Sequence, residues 1–125
     1  MKDTNPKDAI GTRKWRQFAV MPWPALWEVG TAMTEGALKY QPHNWRSAGV
    51  RSSVYVDAAI GHITQWWEGE DVDPDSGISH ISKAIAGLLI LRDCMMRGEL
   101  NDDRPPGSNV DAIRDELGRV VDGLF

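Results

Sequence analysis

Glu70, Asp71, Asp73 and Asp75 fall within six positions of the stretch GEDVDPDSGISH (residues 69–80), which breaks at Pro74 and Gly77 and ends on His80. Acids at a turn are ordinarily only solvated. Acids in the company of histidines are also a donor set for a divalent cation, because hard ions such as Mg2+ and Mn2+ take oxygen ligands and Mn2+ accepts imidazole as well. His62 precedes the turn, His80 follows it, and Asp57 lies five residues before His62. If the flanking segments are antiparallel helices, as a short connection favours, Glu70, Asp73, Asp75 and His80 converge at the turn, with Asp57 and His62 deeper in the groove. The stretch is therefore either a solvated connection or a metal site.

A second set of residues bears on what such an ion would hold. Tyr40 and Trp45, at a helix end and in a loop, are candidates for stacking on a purine ring, and Lys39 just before that loop is a cation able to meet phosphate. Each also has a plainer role, packing for the aromatics and solvation for the lysine. His43 reads as a loop residue.

The elements that must position these residues are helical. MPWPALWEVGTAMTEGALKY suits a helix, with Pro24 near the first turn and Leu26, Val29, Met33 and Leu38 at roughly helical spacing. QPHNWRSAGVR is rich in breakers and reads as a loop. SVYVDAAIGHITQWWEGE keeps a 3.6-residue rhythm through Val54, Ala58, Ile60, Ile63 and Trp67, with Ser52 or Ser53 as its cap. Asp75 or Ser76 could cap a third helix, apolar on nearly every side from Ile78 to Leu91, as suits the centre of a bundle or a subunit interface. After NDDRPPGSN, the residues Val110, Ile113, Leu117, Val120, Val121 and Leu124 form the stripe of a short last helix. No window alternates with period two. The prediction is an all-α bundle in a single domain, 1–125: an extended, polar and basic arm (1–21), a helical core with the site (22–98), and a loop with the C-terminal helix (99–125).

Composition limits the partners. With 42% hydrophobic and 26% charged residues the chain should fold, and a net charge of −4 leaves no broad basic face for duplex nucleic acid. The single cysteine, Cys94, excludes an intramolecular disulfide and fits a reducing cytoplasm. No signal peptide or membrane-length apolar run is visible, so a cytoplasmic protein is expected. The apolar third helix and last stripe exceed what one thin bundle would bury, which predicts a homodimer or homotetramer.

Across EGALKYQPHNW and SVYVDAAIGHITQWWEGEDVDPDSGISHISKAIAGLL the chain resembles the phage and bacterial dATP/dGTP diphosphohydrolase family, an all-α group related to MazG-type nucleotide pyrophosphohydrolases. NPKDAIG and DDRPPG extend the likeness over residues 5 to about 107. The family pattern GAxKYGxxNW, YxDAxxRH, GExxDxESGxxHLAHA is kept at Gly36, Lys39, Tyr40, Asn44, Trp45, Tyr55, Asp57, His62, Gly69, Glu70, Asp73, Gly77 and His80. Gln41 replaces a glycine, Gly61 an arginine, Asp75 a glutamate, and Lys83 the second histidine of HxxH. A protonated lysine cannot ligate a metal, so Lys83 marks either a lost ligand or a contact to phosphate.

The resemblance implies a MazG-like bundle that hydrolyses purine deoxynucleoside triphosphates to the monophosphate and pyrophosphate with a divalent cation, Mg2+ or Mn2+, and no covalent nucleophile. Asp57, His62, Glu70 and His80 are then the catalytic candidates. The metal candidates are Asp57, His62, Glu70, Asp73, Asp75 and His80. Lys39, Tyr40, Asn44, Trp45 and Lys83 would bind substrate, joined by Lys7 or Arg13 if the arm folds over the site. Three alternatives stay open: another nucleotide as substrate, a non-enzymatic helical assembly, and an HD-type phosphohydrolase, against which the lack of an adjacent His-Asp pair counts.

Overall fold

The computed structural model describes residues 5–125, so the first four residues of the expected arm lie outside the described residues. Three long helices carry the fold: α2 (Trp23–Tyr40), α4 (Ser52–Trp67) and α5 (His80–Met96). α5 lies between the other two, packing most extensively against α4 and then against α2. The described residues hold only two strands, β1 (Val50–Arg51) and β2 (Leu100–Asn101), paired in parallel with Val50 opposite Leu100. The fold is all-α. Among the described residues no helix is long and apolar enough to cross a membrane.

Several boundaries depart from the periodicity, each for a local polar reason. The arm is not extended throughout, because α1 (Pro6–Gly11) is closed by a capping box at Asn5 and a 3-10 turn follows at Phe18–Val20. The Asn5 side chain accepts from the Lys7 N–H at 2.9 Å and Asp8 accepts from the Asn5 N–H at 3.1 Å. The breaker-rich loop contains α3 (Asn44–Ala48). α5 starts at His80, with Ser79 as its cap rather than Asp75 or Ser76. The residues before it form a small hairpin in which Val72 pairs with Ser79 and the Asp73 N–H donates to the Ile78 carbonyl at 2.9 Å. Ser52 does not cap α4 but is buried, donating to the Asn101 carbonyl. The last helix, α6 (Val110–Asp122), starts where the stripe placed it, with Asn109 as cap.

The three long helices meet through small residues. The buried apolar set is Val29, Ala32, Val50, Ala59, Ala84, Ala86 and Cys94, while Ile60, Ile63, Trp67, Ile85, Leu88 and Leu89 are exposed. Small side chains let helix backbones approach closely, so polar groups on the facing sides come within hydrogen-bond reach. That is the condition for the site. α3 is clamped to the end of α5 by Asp93, whose carboxylate takes a bidentate pair from Arg46 (3.0 and 3.2 Å) and the indole N–H of Trp45 (2.8 Å). The Arg46 and Trp45 hydrogen bonds hold the Asp93 carboxyl below the usual carboxylate range.

Gly49 leads into β1 with φ +72° and ψ −179°, a backbone region that is essentially glycine's alone. A Cβ there would lie 2.9 Å from the Glu99 carbonyl oxygen, a backbone atom that cannot swing aside. Gly49→Ala should lower stability by about 1–3 kcal/mol, read as a reduced midpoint in urea unfolding with unchanged slope; an unchanged midpoint would contradict the close approach.

Candidate active site

His80 is the largest fully buried side chain together with Cys94, and it is 1% exposed. It opens α5, directly after the hairpin, and both ring nitrogens are engaged. Nε2 lies 2.6 Å from Glu70 Oε1, and Nδ1 lies 2.9 Å from His62 Nδ1 on α4. A neutral ring that donates Nε2–H to Glu70 presents a lone pair at Nδ1, toward His62. This is the arrangement in which a carboxylate fixes the tautomer of a metal-ligating histidine.

Asp73 joins the two imidazoles from the hairpin. Donor atoms of His62, Asp73 and His80 all lie within 4.8 Å of one another. Ligand atoms around one ion are roughly 3–4 Å apart when each bond is about 2.1 Å, so small side-chain adjustments suffice and the triad fits a divalent cation. The Asp73 carboxylate also accepts from the Asp75 N–H at 2.9 Å and from Lys83 Nζ at 2.7 Å, and these bonds hold it below the usual carboxylate range. Burial, then the nearby Lys83 ammonium and His80, push the His62 imidazole below its ordinary value.

α2 supplies two acids that spacing within the turn could not reveal. Glu28 accepts from Ser82 Oγ at 2.5 Å, and Glu35 lies 3.1 Å from Lys83 Nζ. The only sequence signal for them is their seven-residue separation, two helical turns, which puts both on the face toward α5.

A cavity of about 180 Å3 opens beside this cluster, lined by His62 and Lys83 and walled by Tyr40, Asn44, Trp45 and Tyr55. Its floor is small: Ala32, Gly36, Ala86 and Gly87. Of the six tryptophans only Trp45 is not exposed. Tyr55 reaches the cavity because it shares a face of α4 with Ala59 and His62, four and seven residues on.

The remaining candidates are placed elsewhere. Asp57 is exposed and outside the triad, since five residues turn it about 140° away from His62 on the same helix. Asp75 is exposed and gives the site only its backbone N–H. Glu70 reaches the site through His80. Lys39 is exposed, 3.9 Å from Glu35, and does not line the cavity. Lys7 and Arg13 are exposed on the arm and do not line it either. Lys83 faces the cavity but is not a free cation, because Asp73 and Glu35 hold it.

Fold and site together define an all-α protein with a mixed imidazole and carboxylate cluster at the edge of a cavity walled by aromatic side chains. Residues 4–104 match the family model described as dATP/dGTP diphosphohydrolase, N-terminal, and the chain belongs to that family. A protein of Salmonella phage PMBT28 named dATP/dGTP diphosphohydrolase is 27% identical over 93 residues, which cover 74% of this chain and 31% of that protein. The chain thus matches about a third of its relative's length. No solved structure matches it.

The depressed His62 value has a sign that can be checked. In metal-free buffer the unfolded chain takes up a proton near pH 6.5 that the native ring accepts only at lower pH, so stability is full above about 6.5 and declines below it. His62→Gln should flatten that decline in melting temperature between pH 8 and 5; the same slope in both proteins would show that His62 does not cause it.

Proposed function

We propose that this chain hydrolyses purine deoxynucleoside triphosphates, dATP or dGTP, to the monophosphate and pyrophosphate with a divalent cation. The observation that carries the reading is the continuity of the His62, Asp73 and His80 triad with the aromatic-walled cavity. His62, Asp73 and His80 would hold the ion, and Glu70 would keep His80 in the ligating tautomer. Bound there, a divalent ion supplies neutralisation of phosphoryl oxygens and a bound water of lowered pKa. Two imidazoles to one carboxylate favour Mn2+ over Mg2+, which prefers oxygen alone. Trp45 and Tyr40 offer ring faces to a base, and Asn44 offers both a donor and an acceptor to a purine edge. Trp45 is a rigid wall because its N–H is already given to Asp93. The names of the family and of the phage relative support the substrate class, and a phage relative accords with action in a host cytoplasm.

The test is a panel of the four deoxynucleoside triphosphates with Mn2+ or Mg2+, scored for pyrophosphate against phosphate. Pyrophosphate from dATP or dGTP is expected; phosphate, or no turnover with either ion, would reject the reading. His80→Ala should abolish turnover, and Glu70→Gln should lower activity or metal affinity by roughly 10–100-fold, as loss of a tautomer-fixing partner does.

The chain acts as a homo-oligomer in this reading. Ile60, Ile63 and Trp67 on α4 and Leu88 and Leu89 on α5 leave apolar surface exposed, and the α6 stripe at Val110, Ile113, Leu117, Val120 and Leu124 is exposed along its length. That stripe alternates steps of three and four residues, the seam spacing of paired helices, and at two heptads it is too short to hold alone. Light scattering on the eluted protein should give a dimer or tetramer mass, and Leu88→Asp should shift it toward the monomer. A wild-type monomer at micromolar concentration would exclude the assembly.

A further inference from the structure

Lys83 is the residue of the site whose chemistry the metal triad does not use. It lies three residues after His80, on the same face of α5, where a further ligand would stand beside that histidine. An ammonium stands there instead. Nζ lies 2.7 Å from Asp73 Oδ2, 3.1 Å from Glu35 Oε1 and 3.4 Å from Ser76 Oγ. The three oxygens match the three N–H donors of an ammonium, and the side chains of Lys83, Asp73 and Glu35 are only 13%, 15% and 21% exposed. Oxygen donors, two of them carboxylates, are also the shell that a hard divalent cation takes.

We propose that the Lys83 ammonium is a built-in cation occupying the Glu35 and Asp73 carboxylates, so that the chain holds one divalent ion where the same shell without the lysine would hold two. The inference rests on the metal-dependent reading above and goes beyond it by setting the number of ions and the residue that limits it. Asp73 is the shared member. It stands within ligand distance of His62 and His80 and also accepts from Lys83, so ammonium and metal compete for one carboxylate. Glu35 has no such divided role: among the described residues its ion-pair partners are Lys83 and, at 3.9 Å, Lys39. Removing the ammonium leaves two partly buried carboxylates with the lysine's charge gone, a state that a divalent ion relieves.

The experiment is a Mn2+ titration of the nucleotide-free protein by calorimetry, with free Mn2+ counted by electron paramagnetic resonance. Wild type should take one Mn2+ per chain. Lys83→Met should take a second, or bind the first at least about ten times more tightly, and Lys83→Met with Glu35→Gln should lose the second ion. Lys83→Arg, which keeps the charge, should behave as wild type. Should the methionine variant fail to fold, Lys83→Gln makes the same comparison. Two ions in wild type, or unchanged stoichiometry and affinity in the methionine variant, would overturn the proposal while leaving the hydrolase reading intact. Binding by Lys83→Met alone, with none in wild type, would overturn the count of one ion in the natural chain and count against its metal dependence as well. No binding by either protein would overturn both.

Discussion

The hydrogen bonds of one buried imidazole organise the site. His80 begins α5, and the two bonds on its ring run to different parts of the chain: Glu70 at the end of the α4 segment and His62 inside α4. A buried polar ring without partners would cost the full desolvation of its nitrogens, so the fold that buries His80 must also bring Glu70 and His62 to it. The hairpin from Val72 to Ser79 is what makes the geometry reachable. It returns the chain so that the His80 N–H donates to the Asp71 carbonyl, and it turns Asp73 inward while Asp71 and Asp75 face water. The acid-rich stretch is therefore a folded element, not a slack connection.

Close helix packing is the second condition, and it comes from alanine and serine rather than from large side chains. Ala59, Ala84 and Ala86 let α4, α5 and α2 approach, and Ser82 uses that proximity to reach Glu28. The same choice leaves the large apolar residues of α4 and α5 facing outward. An interior built mainly from small apolar residues, with His80, Ser52 and Ser82 buried among them, has little apolar area to bury, and the large apolar side chains stay on the outer faces.

Much of this was legible in the sequence. Helical periodicity placed the three long helices and α6, and the pairing of histidines with an acidic turn pointed to His62, Asp73, Glu70 and His80 as neighbours. Other features were not legible, for specific reasons. Asp57 has the residue type of a ligand but lies on the wrong side of α4, which depends on how the helix is rotated against α5. Glu28 and Glu35 sit far from the acidic turn in sequence, and only the packing of α2 on α5 brings them near. α1 depends on one asparagine and one aspartate, too local for a periodicity argument. The hairpin moved the cap of α5 to Ser79 and its first residue to His80, because Val72 pairs with Ser79 in the backbone ahead of it.

The parallel pairing of β1 with β2 joins residues just before α4 to residues just after α5, and Asp103 reinforces it by accepting from both the backbone and the hydroxyl of Ser53. The two helices that bear the imidazoles are thereby laced together at the end remote from the hairpin, like a clip opposite a hinge. Whatever polypeptide follows Asp103 starts from an anchored point, so it can be lengthened, replaced or pulled upon without transmitting that change to the histidines.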